Sequence, residues 1–382
     1  MTRFGEVGET LSLTITDSAE KLAAEGWDEL VLGTGGPLPT HHLHVATPWL
    51  RRLEIFGNFN PQYVLARQGG QSIGGLSTHR IDRDLGDTRI RIDRALADGT
   101  PNKELIENIL PCRVVGGLMD GRTGAGFLSG LSLRERAVVV DRLFAEAEHL
   151  AAREGEKSVA CRCVDSGDLL LRSVLRSRGY IEVPGHQHFI LATPAGGLEG
   201  YIASFRKQRR TMIRREIRKL RDANVTITVE TLTRELVGSV LPLITNLNNR
   251  YGIESGVDDA RAELGMLRKL FKHDAYAVVA RHGGQPVGYM DLIVYRNNAW
   301  TGQAGFDYEF QGTLPLYFGV LFYGLMDFAT STHLASIDYS FGTAQAKMSR
   351  GCVSRPTLRL IRVLDPADHN RFATWAGSRN PR

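Results

Sequence analysis

Two stretches of this chain repeat one another. Residues 66–74 read ARQGGQSIG and residues 280–288 read ARHGGQPVG. Six of the nine positions are identical, a seventh exchanges Ile for Val, and the offset is 214 residues. Each copy joins one β-type apolar run to another, and a Gly-Gly pair in that setting is a hairpin turn. Such a repeat within 382 residues predicts a duplicated domain. The boundaries expected are 1–195 and 196–366, with Pro194-Ala195-Gly196-Gly197 as the linker and a polar, frayed tail over 367–382.

The order of elements agrees with duplication. The second half reads as a strand at 225–230, helices at 233–250 and 258–272, and strands at 275–281, 285–295 and 299–305. A helix at 315–330 and a strand at 336–339 follow. The first half reads as strands at 62–67 and 72–81, a helix at 133–153, a strand at 158–163, a helix at 168–178 and a strand at 188–192. Hairpins followed by helix–strand crossovers give an α/β chain with a mixed sheet and helices on its faces.

Composition narrows the class. Hydrophobic residues make up 42% and charged residues 23%, a globular balance that excludes disorder of the whole chain. Four Cys give no disulfide framework, and Cys161 and Cys163 share one face of a strand, so buried thiols in a reducing compartment are expected. Glu6, Glu9 and Asp17 interrupt the first twenty residues, so no secretory signal is read there. The longest apolar run, 314–326, stops at Asp327, short of the roughly 20 residues a span needs. A cytoplasmic protein is the expectation. His41-His42-Leu43-His44 has no carboxylate or Cys at ligand spacing, so no metal is expected. Nor does a Walker loop or a dinucleotide fingerprint appear, and no resident cofactor is expected.

Charge is concentrated. The chain carries a formal +5, yet residues 204–222 hold nine basic and two acidic residues, a local +7 that leaves −2 for the remainder. Arg outnumbers Lys seven to two in this segment, and Arg binds phosphate in bidentate fashion. A basic helix over 204–222, capped by Ser204, presents Arg206, Lys207, Arg209, Arg210, Arg214, Arg215 and Arg218. These residues are the expected surface for tRNA or another phosphate-rich carrier.

Further candidates lie in loops. Residues 116–126 are Gly-rich and precede the helix at 133, so Arg122, Gly124 and Gly126 form a candidate pyrophosphate loop. Asp338 ends a strand, and Lys347 follows a Gly342-Thr343 turn, where α/β sites gather. Acyl transfer to an amine needs a base and a group that stabilises developing charge. Asp338 or Asp307 is the candidate base and Lys347 the candidate electrostatic group. Trp300, Tyr308 and Tyr339 are candidates for an acceptor cleft, with aromatic core as the other reading.

Four stretches, taken in order, resemble a known family: Trp27-Asp28-Glu29-Leu30 with residues 48–53 (PWLRRL), Arg178-Gly179-Tyr180-Ile181, residues 201–225, and residues 337–351 (IDYSFGTAQAKMSRG). Together they resemble tandem GNAT-fold acyltransferases of the FemABX-like branch, which includes peptidoglycan-type and cellulose-biosynthesis-type proteins. The resemblance implies two GNAT-like domains and transfer of an acyl or aminoacyl group to an amine. It also implies a functional lysine in the last motif, matching Lys347. Acyl-CoA-using GNAT proteins carry Gln/Arg-x-x-Gly-x-Gly/Ala in the phosphate loop, whereas here Arg122 stands two residues before Gly124. The expected activity is aminoacyl transfer from aminoacyl-tRNA, as co-substrate, to a small amine or peptide-like acceptor. The alternatives are an acyl-CoA-dependent N-acyltransferase and a non-catalytic RNA- or carrier-binding tandem GNAT protein.

Overall fold

A computed structural model describes residues 11–33, 43–56, 59–82, 92–97, 103–118, 125–253 and 255–378. The chain divides into two compact units. One comprises Met1–Gln187 with Arg355–Arg382, and the other His188–Ser354.

The strands of the first unit are β1 (Ser12–Thr16), β2 (Gln62–Gln68), β3 (Gln71–Ile81), β4 (Cys112–Val115), β5 (Gly126–Phe127), β6 (Ser158–Asp165) and the start of β7 (Ile181–Ala192). The second unit holds the end of β7, then β8 (Val225–Thr231), β9 (Ala275–His282), β10 (Gln285–Tyr295), β11 (Asn298–Phe306) and β12 (Ser336–Asp338). The last strand, β13 (Val353–Val363), returns to the first unit. Within the first unit the order is β1-β2-β3-β4-β6-β13-β7, with β5 against β3; within the second it is β7-β12-β11-β10-β9-β8.

The duplicated motif occupies equivalent places. Hairpins β2–β3 and β9–β10 turn through Gly69-Gly70 and Gly283-Gly284, with φ of +57° and +82° in the first pair and +56° and +82° in the second. Two successive positive φ values make the tight turn that glycine alone adopts freely. Beyond the hairpins, β4 runs parallel to β6 and β11 parallel to β12. An antiparallel strand then lies beside each crossover strand: β13 beside β6, and residues 190–192 of β7 beside β12. The final strand of each repeat thus completes the sheet of the other unit.

That exchange moves the boundary. Sequence placed it at 195 and assigned 355–366 to the second half; the units part at Gln187/His188, and everything from Arg355 belongs to the first. The tail is also ordered. Pro366–Ser378 is a helix that buries Phe372 and Ala376, four residues apart on one face. Two further expectations need correction. The apolar helix at 315–330 is broken into Leu316–Leu321, a 3-10 turn at Tyr323–Leu325 and Met326–Ser331. A Cβ on Gly324 would come 2.2 Å from Ile227 Cγ2, so glycine alone fits where the broken segment passes β8. Ser204 closes the preceding helix, Gly197–Ala203, donating its hydroxyl to Tyr201 O, and does not cap the basic helix.

Local chemistry explains the long helix Leu133–Arg153. Ser132 and Glu135 form a reciprocal capping box at its start. Val139, Val140, Leu143, Phe144, Ala147, Leu150 and Ala151 then form a single buried stripe. No helix among the described residues is long and apolar enough to cross a membrane.

The first unit also buries charge. Arg113, fully buried, donates to both carboxylate oxygens of Glu156 at 2.8 Å, to Glu154 at 2.9 Å and to Gln62 at 2.7 Å. Beside it, burial first and the Arg113 charge second push the His79 imidazole down from 6.5 to about 3. Below 6.5 the unfolded chain takes up a proton that the folded one refuses. The stability due to His79 is therefore full above 6.5 and drains as pH falls toward about 3. Replacing His79 with Leu is expected to flatten the melting-temperature profile across that window. Parallel profiles for the two proteins would assign the acid sensitivity elsewhere.

Candidate functional site

The second unit holds the candidate base, the candidate lysine, the acceptor-cleft aromatics and the basic helix; the candidate phosphate loop belongs to the first. β11 and β12 pair in parallel over three residues only, Asn298 to Trp300 against Ser336 to Asp338, and β11 then runs on to Phe306. Asp338 therefore sits where the two strands part. It is 2% exposed, and its Oδ1 accepts the Ser340 N–H at 2.8 Å and faces His188 Nδ1 at 3.7 Å. His188, 1% exposed, comes from β7. Nothing in the sequence pointed to it, because the pairing of β7 with β12 is what delivers it.

After Asp338 the chain turns sharply. Ser340, Gly342 and Thr343 have φ of +56°, +78° and +45°. Two of these are not glycine, and such backbone costs roughly 1 kcal/mol or more apiece, so the surroundings must hold it. Lys347 supplies part of that hold. It is 5% exposed, and its Nζ donates to Tyr339 O at 2.5 Å and Phe341 O at 2.6 Å. The ammonium that the sequence offered as a group facing substrate is drawn into the turn by two carbonyls. Its Nζ lies 5.6 Å from the Phe189 ring centroid. Cys352 lies in the same surroundings; burial above all, then Asp338, pushes its thiol up to about 12 against the opposing pull of Lys347, which leaves a poor nucleophile.

The other candidates fall as follows. Asp307 caps the helix Tyr308–Gln311, accepting N–H bonds from Glu309 at 3.1 Å and Phe310 at 3.0 Å. Tyr339 is 2% exposed, stacks on Phe322 with centroids 4.6 Å apart and donates to Leu321 O, so it belongs to the core. Trp300 is buried in β11. Tyr308 is half-buried beneath the Arg250 guanidinium, 4.4 Å from its ring. Arg122 and Gly124 lie outside the described residues. Gly126 belongs to β5 and packs against Leu30 rather than opening a loop.

The basic helix spans Lys207–Asp222, with Arg206 at its N-cap. Ile213 and Leu220 are its buried face. Arg206, Arg210, Arg214 and Arg218 recur every four residues along another face, a stripe about 18 Å long at 1.5 Å per residue. Arg214 pairs with Glu199 at 2.9 Å, both largely exposed. Among the described residues, Arg206, Lys207, Arg210, Arg215, Arg218 and Lys219 make no ion pair.

One acid inside this helix is committed elsewhere. Glu216 accepts from Arg350 Nη2 at 2.8 and 3.0 Å and from the Tyr323 hydroxyl. Arg350 is 2% exposed, lies 3.6 Å from the Phe318 ring centroid, and donates Nε to Tyr323 at 2.8 Å. The Tyr201 hydroxyl donates to its carbonyl. Arg350 thus bolts the cationic helix to the turn that carries Lys347, three residues upstream. Its signal in the sequence was slight: Glu216 is the only acid between positions 204 and 221.

Residues 207–348 match the family model described as an acetyltransferase (GNAT) domain. No curated protein matches the chain by sequence. Among solved structures, FemX is similar over 95% of this chain and 100% of its own, with a TM-score of 0.62 at 10% identity. A tandem GNAT protein from the clavulanic acid biosynthesis pathway is similar over 93% and 99%, with 0.53 at 15% identity. L-PGS from Bacillus licheniformis is similar over 80% and 86%, with 0.50 at 10% identity. At such identities the likeness speaks for the fold: tandem GNAT, of the FemABX-like kind. The 207–348 match is a likeness to the acetyltransferase (GNAT) domain family that falls within the second unit.

Proposed function

We propose that this tandem GNAT chain takes an aminoacyl group from aminoacyl-tRNA and forms an amide on a small amine or peptide-like acceptor. The observation that carries this reading is the cationic stripe. Arginines spaced every four residues, most without a carboxylate partner among the described residues, suit a ligand that presents a row of phosphates. The fold shared with FemX and L-PGS agrees with it.

In this reading the acceptor nitrogen attacks the ester carbonyl, the new C–N bond forms, and the C–O bond to the ribose breaks. The acceptor's proton goes to a base, and the ribose oxygen leaves as a hydroxyl. Asp338, facing His188, is better suited to that base than Asp307, whose carboxylate is occupied as a helix cap. Lys347 acts by fixing the turn beside Asp338. Holding both reactants in register supplies much of the rate, and no covalent enzyme intermediate is needed.

Acyl-CoA as donor has one observation in its favour. β11 continues through Phe306 after its pairing with β12 ends, and a strand edge can pair with an amide-bearing chain. The deciding experiment incubates the protein with a charged tRNA pool and a panel of amines, followed by mass spectrometry. The expected result is new amide products that vanish after ribonuclease treatment. Products that survive ribonuclease and require acyl-CoA would replace this reading with the second one.

A further inference from the structure

The β10–β11 pair carries a polar cluster apart from the Asp338 turn. Its register breaks between Met290, opposite Ala304, and Leu292, opposite Thr301, so Asp291 alone faces both Gly302 and Gln303. Such a bulge re-aims side chains. Asp291 is 2% exposed, and its carboxylate fills the volume a Gly302 side chain would take: a Cβ there would stand 1.8 Å from Oδ2 and 3.0 Å from Oδ1. Position 302 is glycine because the carboxylate is there.

Tyr289 precedes Asp291 by two residues on the same strand face and is fully buried. Its hydroxyl has no hydrogen-bond partner among the described residues. Leaving a buried hydroxyl unmet costs roughly 1–3 kcal/mol. The phenol is raised well above its usual range by burial, then by the charges of Asp291 and Glu263, so both carboxylates act on that oxygen. Glu263, from the helix Val257–Phe271, accepts from Gln303 Nε2 at 2.5 Å. That bond leaves Gln303 Oε1 as an acceptor, also without a partner among the described residues. The cluster grades from exposed Gly302, through half-buried Gln303 and Glu263, to buried Asp291 and Tyr289.

The fold itself does not require these groups. At the repeat offset of 214, Gly75 stands for Tyr289 and Ser77 for Asp291. There a Cβ on Gly75 would lie 2.5 Å from the Trp27 ring, so indole fills the place that the phenol takes in the second unit.

We infer that Asp291, Tyr289, Gln303 and Glu263 form a binding site for a primary ammonium group of the substrate. Two carboxylates, an amide oxygen and a phenol oxygen match a cation with three N–H donors. The inference rests on the reading of the chain as an amine-directed acyltransferase. The ammonium belongs either to the acceptor or to the α-position of an aminoacyl donor.

The test titrates the full-length, 15N-labelled chain with methylammonium chloride and follows the Gly302 and Gln303 amides by NMR. The expected result is a saturable shift that tetramethylammonium, lacking N–H donors, does not reproduce. Asp291→Asn abolishes it, and Tyr289→Phe, which keeps the ring, weakens it by about fivefold or more. A flat titration, an equal response to tetramethylammonium, or unchanged affinity in Tyr289→Phe overturns the site. Should Asp291→Asn fail to fold, the Tyr289→Phe result decides. Alanine methyl ester binding tighter than methylammonium assigns the donor; equal binding assigns the acceptor; N-acetylalanine methyl ester binding as well as the free ester overturns the proposal. RNA takes no part, so failure of tRNA-dependent transfer and failure of this site are separately visible.

Discussion

Replacing Arg350 with alanine lowers the melting temperature of the second unit by roughly 10 °C. The guanidinium is 2% exposed, pairs with Glu216 through two bonds, receives the Phe318 face and meets the Tyr323 hydroxyl. Removing one partner of a buried pair leaves the other charge desolvated and unanswered, which costs about 3–5 kcal/mol. In a unit of this size each kcal/mol moves the midpoint by about 2–4 °C. Lysine does not rescue, because a point charge cannot keep two carboxylate bonds and a stacked face at once. Removing both charges, as Arg350→Met with Glu216→Leu, recovers much of the loss, since apolar replacement of a whole pair is often near neutral. Thermal melts of the three variants check this. A single Arg350→Ala chain that melts within 2–3 °C of the native protein would show that the pair is not holding the helix to the turn.

The second large effect concerns binding. Changing Arg206, Arg210, Arg214 and Arg218 together to Gln weakens tRNA binding by on the order of 100-fold near physiological salt. Each lost phosphate contact removes about 0.7–0.9 from the slope of log K against log salt, so four contacts flatten it by about 3. Stability should hardly move. Among the described residues the only ion pair lost is the exposed one between Arg214 and Glu199, and such pairs contribute little. Filter binding across a salt series, with a melt on each variant, separates a missing contact from a damaged fold. Unchanged affinity and slope would detach the stripe from RNA and remove the observation on which the proposed donor rests.

Much of the architecture was written locally. The Gly-Gly pairs announce their hairpins because two successive positive φ values demand glycine. The Leu133–Arg153 helix announces itself through its capping box and apolar stripe. What stayed hidden is non-local. No pattern in residues 353–363 says that they pair with β6, and without that pairing the boundary falls in the wrong place. The break at Phe322, where φ is −122° and ψ −59°, leaves no mark in the apolar spacing, so the run reads as one helix. At the site, Asp338 and Lys347 were legible as strand end and turn. The sense of Lys347 was not, since carbonyls 6 and 8 residues back capture its ammonium. His188, Arg350 and the Tyr289 cluster acquire meaning only from partners 27 to 150 residues distant or across a strand register.

The traded end strands set a timetable for synthesis. β13 lies between β6 and β7 in the first unit, yet the ribosome makes it some 190 residues after β6. Until then the first unit is a nascent sheet with an unfilled slot, and the edges on either side of it are open to any passing strand. The N-terminal half is made first but can be finished only among the last, so this chain matures as a whole and not as two beads released in turn.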